Sequence, residues 1–167
     1  MHLFILFFTL IIVWRYGDWK NWQKYHTTML YVAVANLFYN FIYTGDNLLW
    51  KLQPAFLLGN HKIAEIFYTF IIFPSTVLLL LKNFPSDLKS LSLRLIKFIS
   101  IYFIFECIAY SLGCISYHNG WTIWWSLVWD FMMFPMWMLH HKKPLISYAV
   151  SAAVISCMLV LFPVTIK

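Results

Sequence analysis

Charge is what this chain has least of. Only 11% of its 167 residues are Asp, Glu, Lys or Arg, six of them acidic, against 62% apolar residues. A soluble domain carries about 25% charged residues, so a water-facing globular surface is excluded. Cysteine is scarce as well. Cys107, Cys114 and Cys157 all fall inside apolar stretches, with no C-x-x-C pair and no His/Cys cluster. A disulfide framework and a thiolate metal site are therefore not implied, and the three thiols read as small apolar residues. The five glycines form neither a phosphate-cradling loop nor a dinucleotide-binding fingerprint, and no serine stands in a nucleophile elbow. Nothing assigns an enzymatic reaction, and no cofactor is implied.

What is present is six apolar stretches, at 3–14, 29–44, 63–81, 96–116, 121–139 and 145–164. A membrane-crossing helix needs about 20 residues. The last four stretches meet that length, and the second does so with Thr27 and Thr28. The first, from His2 to Tyr16, covers only about 22 Å at 1.5 Å per residue. It either spans with local thinning of the bilayer or lies as a short re-entrant or interfacial segment. With no Lys or Arg before it and no small-residue cleavage site after it, it reads as a retained segment, not a signal peptide. The fold expected is all-α: a transmembrane helical bundle of six spans, or five plus a shallow first segment, forming one integral membrane domain over residues 1–167.

Loop charge orients this bundle. Arg15, Lys20, Lys24, Lys82, Lys89, Arg94, Lys97, Lys142 and Lys143 fall in the odd-numbered loops, against Lys51, Lys62 and Lys167 on the other side. Nine cations against three place loops one, three and five in the cytoplasm and both termini outside. The net charge of +6 is then topology signal and contact with anionic lipid, and gives no basis for a nucleic-acid partner.

Loop two carries Leu48-Leu49-Trp50 and Ala55-Phe56-Leu57-Leu58 around Pro54, apolar enough to rest at the outer interface. In loop three, Ser86 or Asp87 can cap a short amphipathic helix leading into span four. Trp14, Tyr16, Trp19, Trp22 and Tyr25 around loop one, and Tyr117, Trp121, Trp124 and Trp125 at the outer end of span five, read as interfacial anchors. Pro74 and Pro135 predict kinks in spans three and five. On span six, Ser147 with Ser151 and Ala149 with Ala153 have the small-x-x-x-small spacing that lets a second helix, from another protein or another copy, approach closely.

Two acids lie deep in the apolar stretches. Glu106 is ten residues below Ser116 and Asp130 nine below Trp121, with only Tyr117–Gly120 between the spans. An antiparallel hairpin then brings both carboxyls to one depth near the midplane, and Asn36, with Asn40 a turn above it, reaches a similar level. A carboxylate there costs about 2.5–3.5 kcal/mol, and no Lys or Arg lies at that depth to pair with it. Protonation of at least one carboxyl is the cheaper state. Two readings follow. Asn36, Asn40, Glu106 and Asp130 form a binding site that holds a proton, a cation or a solute. Alternatively they form a neutral packing network with Tyr102 or Tyr110.

A weaker constellation is His61, Glu65 and His118, with Asp46, at the outer face. The i, i+4 pair has the spacing of helical His/carboxylate metal ligands. The plainer reading is a solvated helix entry, with Glu65 favoured by the helix N-terminus. His140-His141-Lys142-Lys143 reads as a cationic helix end beside anionic headgroups.

Taken in order, Trp14-Arg15-Tyr16-Gly17-Asp18-Trp19-Lys20-Asn21-Trp22, Phe73-Pro74-Ser75-Thr76-Val77, His118-Asn119-Gly120-Trp121, Phe134-Pro135 and His140-His141-Lys142-Lys143-Pro144 resemble an uncharacterised family of small multi-spanning membrane proteins from spore-forming Gram-positive bacteria. The resemblance runs over nearly the whole chain. It implies a plasma-membrane location and transfers no catalytic residue. The functions expected are ion-coupled movement of a small solute or ligand sensing, with a non-catalytic membrane accessory protein as the alternative.

Overall fold

The computed structural model describes residues 1–53 and 60–164. The elements are α1 (His2–Tyr16), α2 (Trp22–Ile42), β1 (Trp50–Leu52), α3 (His61–Phe67), α4 (Phe73–Leu81), α5 (Leu88–Ser111), β2 (Ile115–Tyr117), α6 (Ile123–Lys142) and α7 (Pro144–Leu161). A π-helical stretch, Tyr68–Ile72, joins α3 and α4 into one rod. The expectation of an all-α bundle holds, with one addition: a two-stranded ribbon.

Local chemistry sets most element ends. Asn60 caps α3, its side chain accepting from the Ile63 N–H at 3.0 Å. Asp87 caps α5 through the Ser90 N–H at 2.8 Å, and that bond holds its carboxyl below the ordinary carboxylate range. The short amphipathic helix expected here is not separate: it is the first part of α5. At the other end of α5, Gly113 (φ +67°) lets Cys114 N–H return to Ala109 O and its own N–H to Tyr110 O, a Schellman stop. Pro144 opens α7, and Lys143 before it is pushed out of helical backbone, which ends α6.

The two prolines expected to kink their helices behave differently. Pro74 lacks the N–H that would bond the Phe70 carbonyl, and the helix widens to its π stretch just before it. Pro135 lies inside α6, which stays a single helix from Ile123 to Lys142.

The rods share two ends. At the basic end, Lys82 Nζ donates to Tyr16 O at 2.9 Å, and Arg94 donates to the carbonyls of Leu80 and Lys82. At the ribbon end, His2 contacts Tyr68 Oη and Cys114 O, and Tyr43 Oη donates to Phe162 O. The ribbon pairs Trp50, Lys51 and Leu52 with Tyr117, Ser116 and Ile115, antiparallel, and Asn119 ties the turn to Asp46 O and Leu48 O. Loop two is thus partly folded into the protein. Leu49 and Leu52 are buried in different apolar clusters, on either side of the ribbon's backbone, which pairing with β2 satisfies. Ala55–Leu58, and Lys167 at the chain end, lie outside the described residues.

Two larger apolar clusters and a small one around Leu52 and Ala64 fill the bundle among the described residues. One of the larger two, toward the basic end, centres on Val77, Leu80, Leu81, Phe134 and Trp137; the other, under the ribbon, packs Tyr39, Tyr43, Leu49, Trp121 and Phe162. Trp121 and Tyr25 are therefore core residues, not interfacial anchors, while Trp14, Tyr16, Trp19, Trp22 and Trp124 stay exposed as expected.

Among the described residues, two helices are long and apolar enough to cross a membrane: the α3–α4 rod, His61–Leu81, and α7, Pro144–Leu161. A third candidate is the bent pair of His2–Tyr16 and Trp19–Ile42, whose axes differ by 84°. α2, α5 and α6 have the length, with 21, 24 and 20 residues, but Tyr, Trp, His and charged side chains dilute their apolar character.

The α1–α2 corner depends on Gly17. Its N–H and the Trp19 indole both donate to Val13 O at 2.8 Å, and a Cβ at Gly17 would run into that same carbonyl. Gly17→Ala is expected to destabilise the protein by about 1–3 kcal/mol, as overpacking does. The check is a thermal melt in detergent; an unchanged melting temperature would show that the corner is free to relax.

Candidate functional site

Three carboxyls lie under the ribbon in two groups, Glu65 with the α2 asparagines and Glu106 with Asp130. The Schellman stop ends α5 at Ser111, five residues earlier than the apolar stretch suggests, so Glu106 lies only about 7 Å below the helix end. Asp130 is about 10 Å below the start of α6, and Glu65 about 6 Å below the start of α3. The polar layer thus sits in the ribbon half of the bundle rather than midway along it.

The grouping also differs from the sequence expectation. Asn36 and Asn40 face Glu65, not Glu106 and Asp130. Asn36 Nδ2 donates to Thr69 Oγ1 at 2.7 Å and to Glu65 Oε2 at 3.4 Å, and Asn40 Nδ2 reaches the same oxygen at 3.3 Å. Trp50 adds a third side-chain hydrogen bond to this carboxyl. The physical reason is register: Asn36/Asn40 on α2 and Glu65/Thr69 on the α3–α4 rod are both i, i+4 pairs, and they meet where the two rods run side by side.

Glu106 instead accepts from Tyr117 Oη at 2.8 Å and hydrogen-bonds Ser126. Tyr110 stacks on Tyr117, and Tyr102 donates to Thr76 Oγ1 at 2.6 Å, since the Thr76 proton goes to Ile72 O. Asp130, within electrostatic reach of Glu106, is 4% exposed, and its Oδ2 finds no hydrogen-bond donor among the described residues. A buried polar atom left without a partner costs free energy and marks a place where structure alone has not been optimised.

The three carboxyls border one cavity of about 1050 Å³ among the described residues. Its wall is mostly apolar and aromatic, with Phe73, Tyr102, Trp129 and Met133 among the lining residues. At its basic end it reaches Lys82, Arg94 and Lys97.

The metal constellation does not assemble. Among the described residues no three His, Cys, Asp or Glu side chains come together in a ligand set. His61 Nδ1 accepts the Leu52 N–H at 3.1 Å and stands 4.0 Å from Glu65 Oε1, so the ring nitrogen facing Glu65 is taken up by the ribbon backbone. His118 is occupied with Ser116, at 3.0 Å.

His140 corrects the headgroup reading of the histidine pair. It is 2% exposed, stacks on Tyr31 with ring centroids 4.1 Å apart, and contacts Thr28 Oγ1 and Tyr148 Oη. His141 packs on Tyr25 and Phe84. Both lie beyond the fifth apolar stretch, and burial lowers both below the ordinary histidine value of 6.5. The unfolded chain therefore binds these protons first. Stability is expected to be full above that value and to fall as the pH drops below it. Unfolding midpoints from pH 7.5 to 5 should show this slope and a shallower one in His140→Gln; identical slopes would exclude His140 as a contributor.

Three hydroxyls share one device. Thr69, Thr76 and Ser151 each give their proton to the carbonyl four residues earlier and accept from a neighbouring helix, at Asn36, Tyr102 and Tyr31 respectively. On α7 this turns Ser147 and Ser151 into the protein, Ser147 being wholly buried. Ala149 and Ala153 face outward, so only they remain for another helix.

Sequence reasoning missed Tyr117, Ser126, Thr69 and Trp50 as site residues. The matched i, i+4 pairs were a usable signal for Thr69; nothing local in the sequence points to the other three. No known protein family, curated protein or solved structure matches this chain.

Proposed function

We propose that the protein is a multi-pass integral membrane protein that binds a small solute in its internal cavity and couples binding or movement to a proton held at Glu106 and Asp130. Six passes accord with the lengths of α2, α5 and α6, with α1 as a short, steeply inclined first segment. The cation count places loops one, three and five in the cytoplasm, and the resemblance to the bacterial family favours the plasma membrane. The observation that carries the reading is Asp130: buried, beside a second carboxyl, bordering a large cavity, with an oxygen that no donor among the described residues satisfies. A group of that kind is retained against its cost where it has work to do.

The test has two parts. Asp130→Asn should raise the melting temperature by on the order of 3 °C, since it removes an acid that lacks a partner. The parent protein in proteoliposomes should carry a proton flux that Asp130→Asn and Glu106→Gln both abolish. Lower melting temperatures for both variants together with no flux from the parent would overturn the proposal.

A second reading, a membrane accessory protein, is favoured by α7. Only 6% of its apolar window is buried within the chain, leaving Ala149 and Ala153 open to another helix. A partner that co-purifies in stoichiometric amount and is lost in Ala149→Leu would support it.

A further inference from the structure

The cavity is charged oppositely at its two ends. Lys82, Arg94 and Lys97 line it at the basic end, while Glu65, Glu106 and Asp130 line it under the ribbon. Along α5 alone, Arg94 and Glu106 are about 18 Å apart. Between them the wall is aromatic and aliphatic, with Phe73, Tyr102 and Met133. A small hydrophilic solute matches only the two ends of this space, and a neutral hydrocarbon matches only its middle.

The three acids are unavailable as counter-ions to the cations, being at the far end. The cations themselves are met by backbone oxygens: Arg94 by Leu80 and Lys82, Lys82 by Tyr16. Carbonyls orient a guanidinium and an ammonium without neutralising them, so an anion beside them gains charge-assisted hydrogen bonds. Arg94 is only partly exposed, and its two carbonyl contacts fix it where the α4–α5 connection enters the cavity. This is more built than a scatter of surface lysines.

We infer that the cavity takes an acidic single-chain lipid from the membrane, its anionic head held by Lys82, Arg94 and Lys97 and its chain lying along the aromatic wall toward the ribbon. The inference names an occupant for the cavity of the proposed function, and it does not depend on proton coupling at Asp130. With Lys82, Arg94 and Lys97 lining one end and no cation among the described residues lining the other, the lipid has one orientation, head to the basic end.

The test uses palmitate bearing a photoreactive diazirine near the chain end, added to the purified protein in neutral detergent. Cross-linked positions are read by peptide mass spectrometry. Labels are expected on cavity residues such as Phe73, Tyr102 and Met133. Unlabelled palmitate should compete, while hexadecanol and millimolar inorganic phosphate should not. Lys97→Glu should weaken the competition by more than the roughly fivefold, about 1 kcal/mol, assigned to one juxtamembrane charge. Lys89→Glu, on the same helix but outside the cavity wall, should leave it unchanged, and both substitutions are at exposed positions that the fold tolerates. Labels confined to outward residues such as Val150 and Val160, or equal competition by hexadecanol, would overturn the inference. Labelling that persists in Asp130→Asn while flux is lost would separate the two proposals, and so would flux without labelling.

Discussion

Asn36→Leu is expected to lower the unfolding free energy by about 2–3 kcal/mol, because it strips a buried carboxyl of a donor and takes from Thr69 Oγ1 the hydrogen bond it accepts. The effect should be strongly non-additive. Once Glu65 is also leucine, the buried acid is gone, and apolar side chains occupy both sides of the α2–α3 contact. Removing both partners of a buried polar pair is often close to neutral, whereas removing one is not. The double variant should therefore recover most of the loss. A double-mutant cycle by equilibrium unfolding in mixed micelles measures this directly, and a coupling energy near zero would mean that the asparagines and Glu65 do not act as a unit.

The second large effect is expected at Phe134. Its side chain is fully buried and meets Tyr102 and Trp137 edge-on, with ring centroids 5.0 and 5.1 Å away. Truncation of such a ring in a water-soluble core costs about 3–5 kcal/mol. Within a bilayer the transfer part of that cost shrinks, since lipid is as apolar as the core, and what remains is lost packing. The lower end, about 3 kcal/mol, is therefore expected for Phe134→Ala, with about 1 kcal/mol for Phe134→Leu. A cost below 1 kcal/mol for the alanine variant would mean that the helices close over the void.

The sequence analysis was most informative where a local rule acts alone. A cap at Ser86 or Asp87 was legible because either side chain can accept from the first turn of a helix that starts at Leu88, and the structure uses Asp87. The break between α6 and α7 was written in Lys143-Pro144. The separation of the acids into two groups was much less legible. Counting residues from the ends of apolar stretches placed Glu106 too deep, because the stretch continues through Gly113 while the helix does not. Glu65 read as an outer-face residue, although its spacing to Thr69 matches Asn36 to Asn40.

Composition and periodicity by themselves determined that this chain is helical, that its rods are apolar, and that its cations gather at one end. These follow from properties of single segments: length, hydropathy and the position of charge. Tertiary structure decided the rest. The pairing of loop two with the end of α5 into a ribbon brought Tyr117 to Glu106 and Trp50 to Glu65, and it turned His61 toward the Leu52 N–H. The inward turn of His140 and Ser147, and the orphaned oxygen of Asp130, likewise depend on which rods meet and in what register. Hydrogen bonds between segments far apart in sequence leave no local trace, because either partner would be equally at home beside a different neighbour.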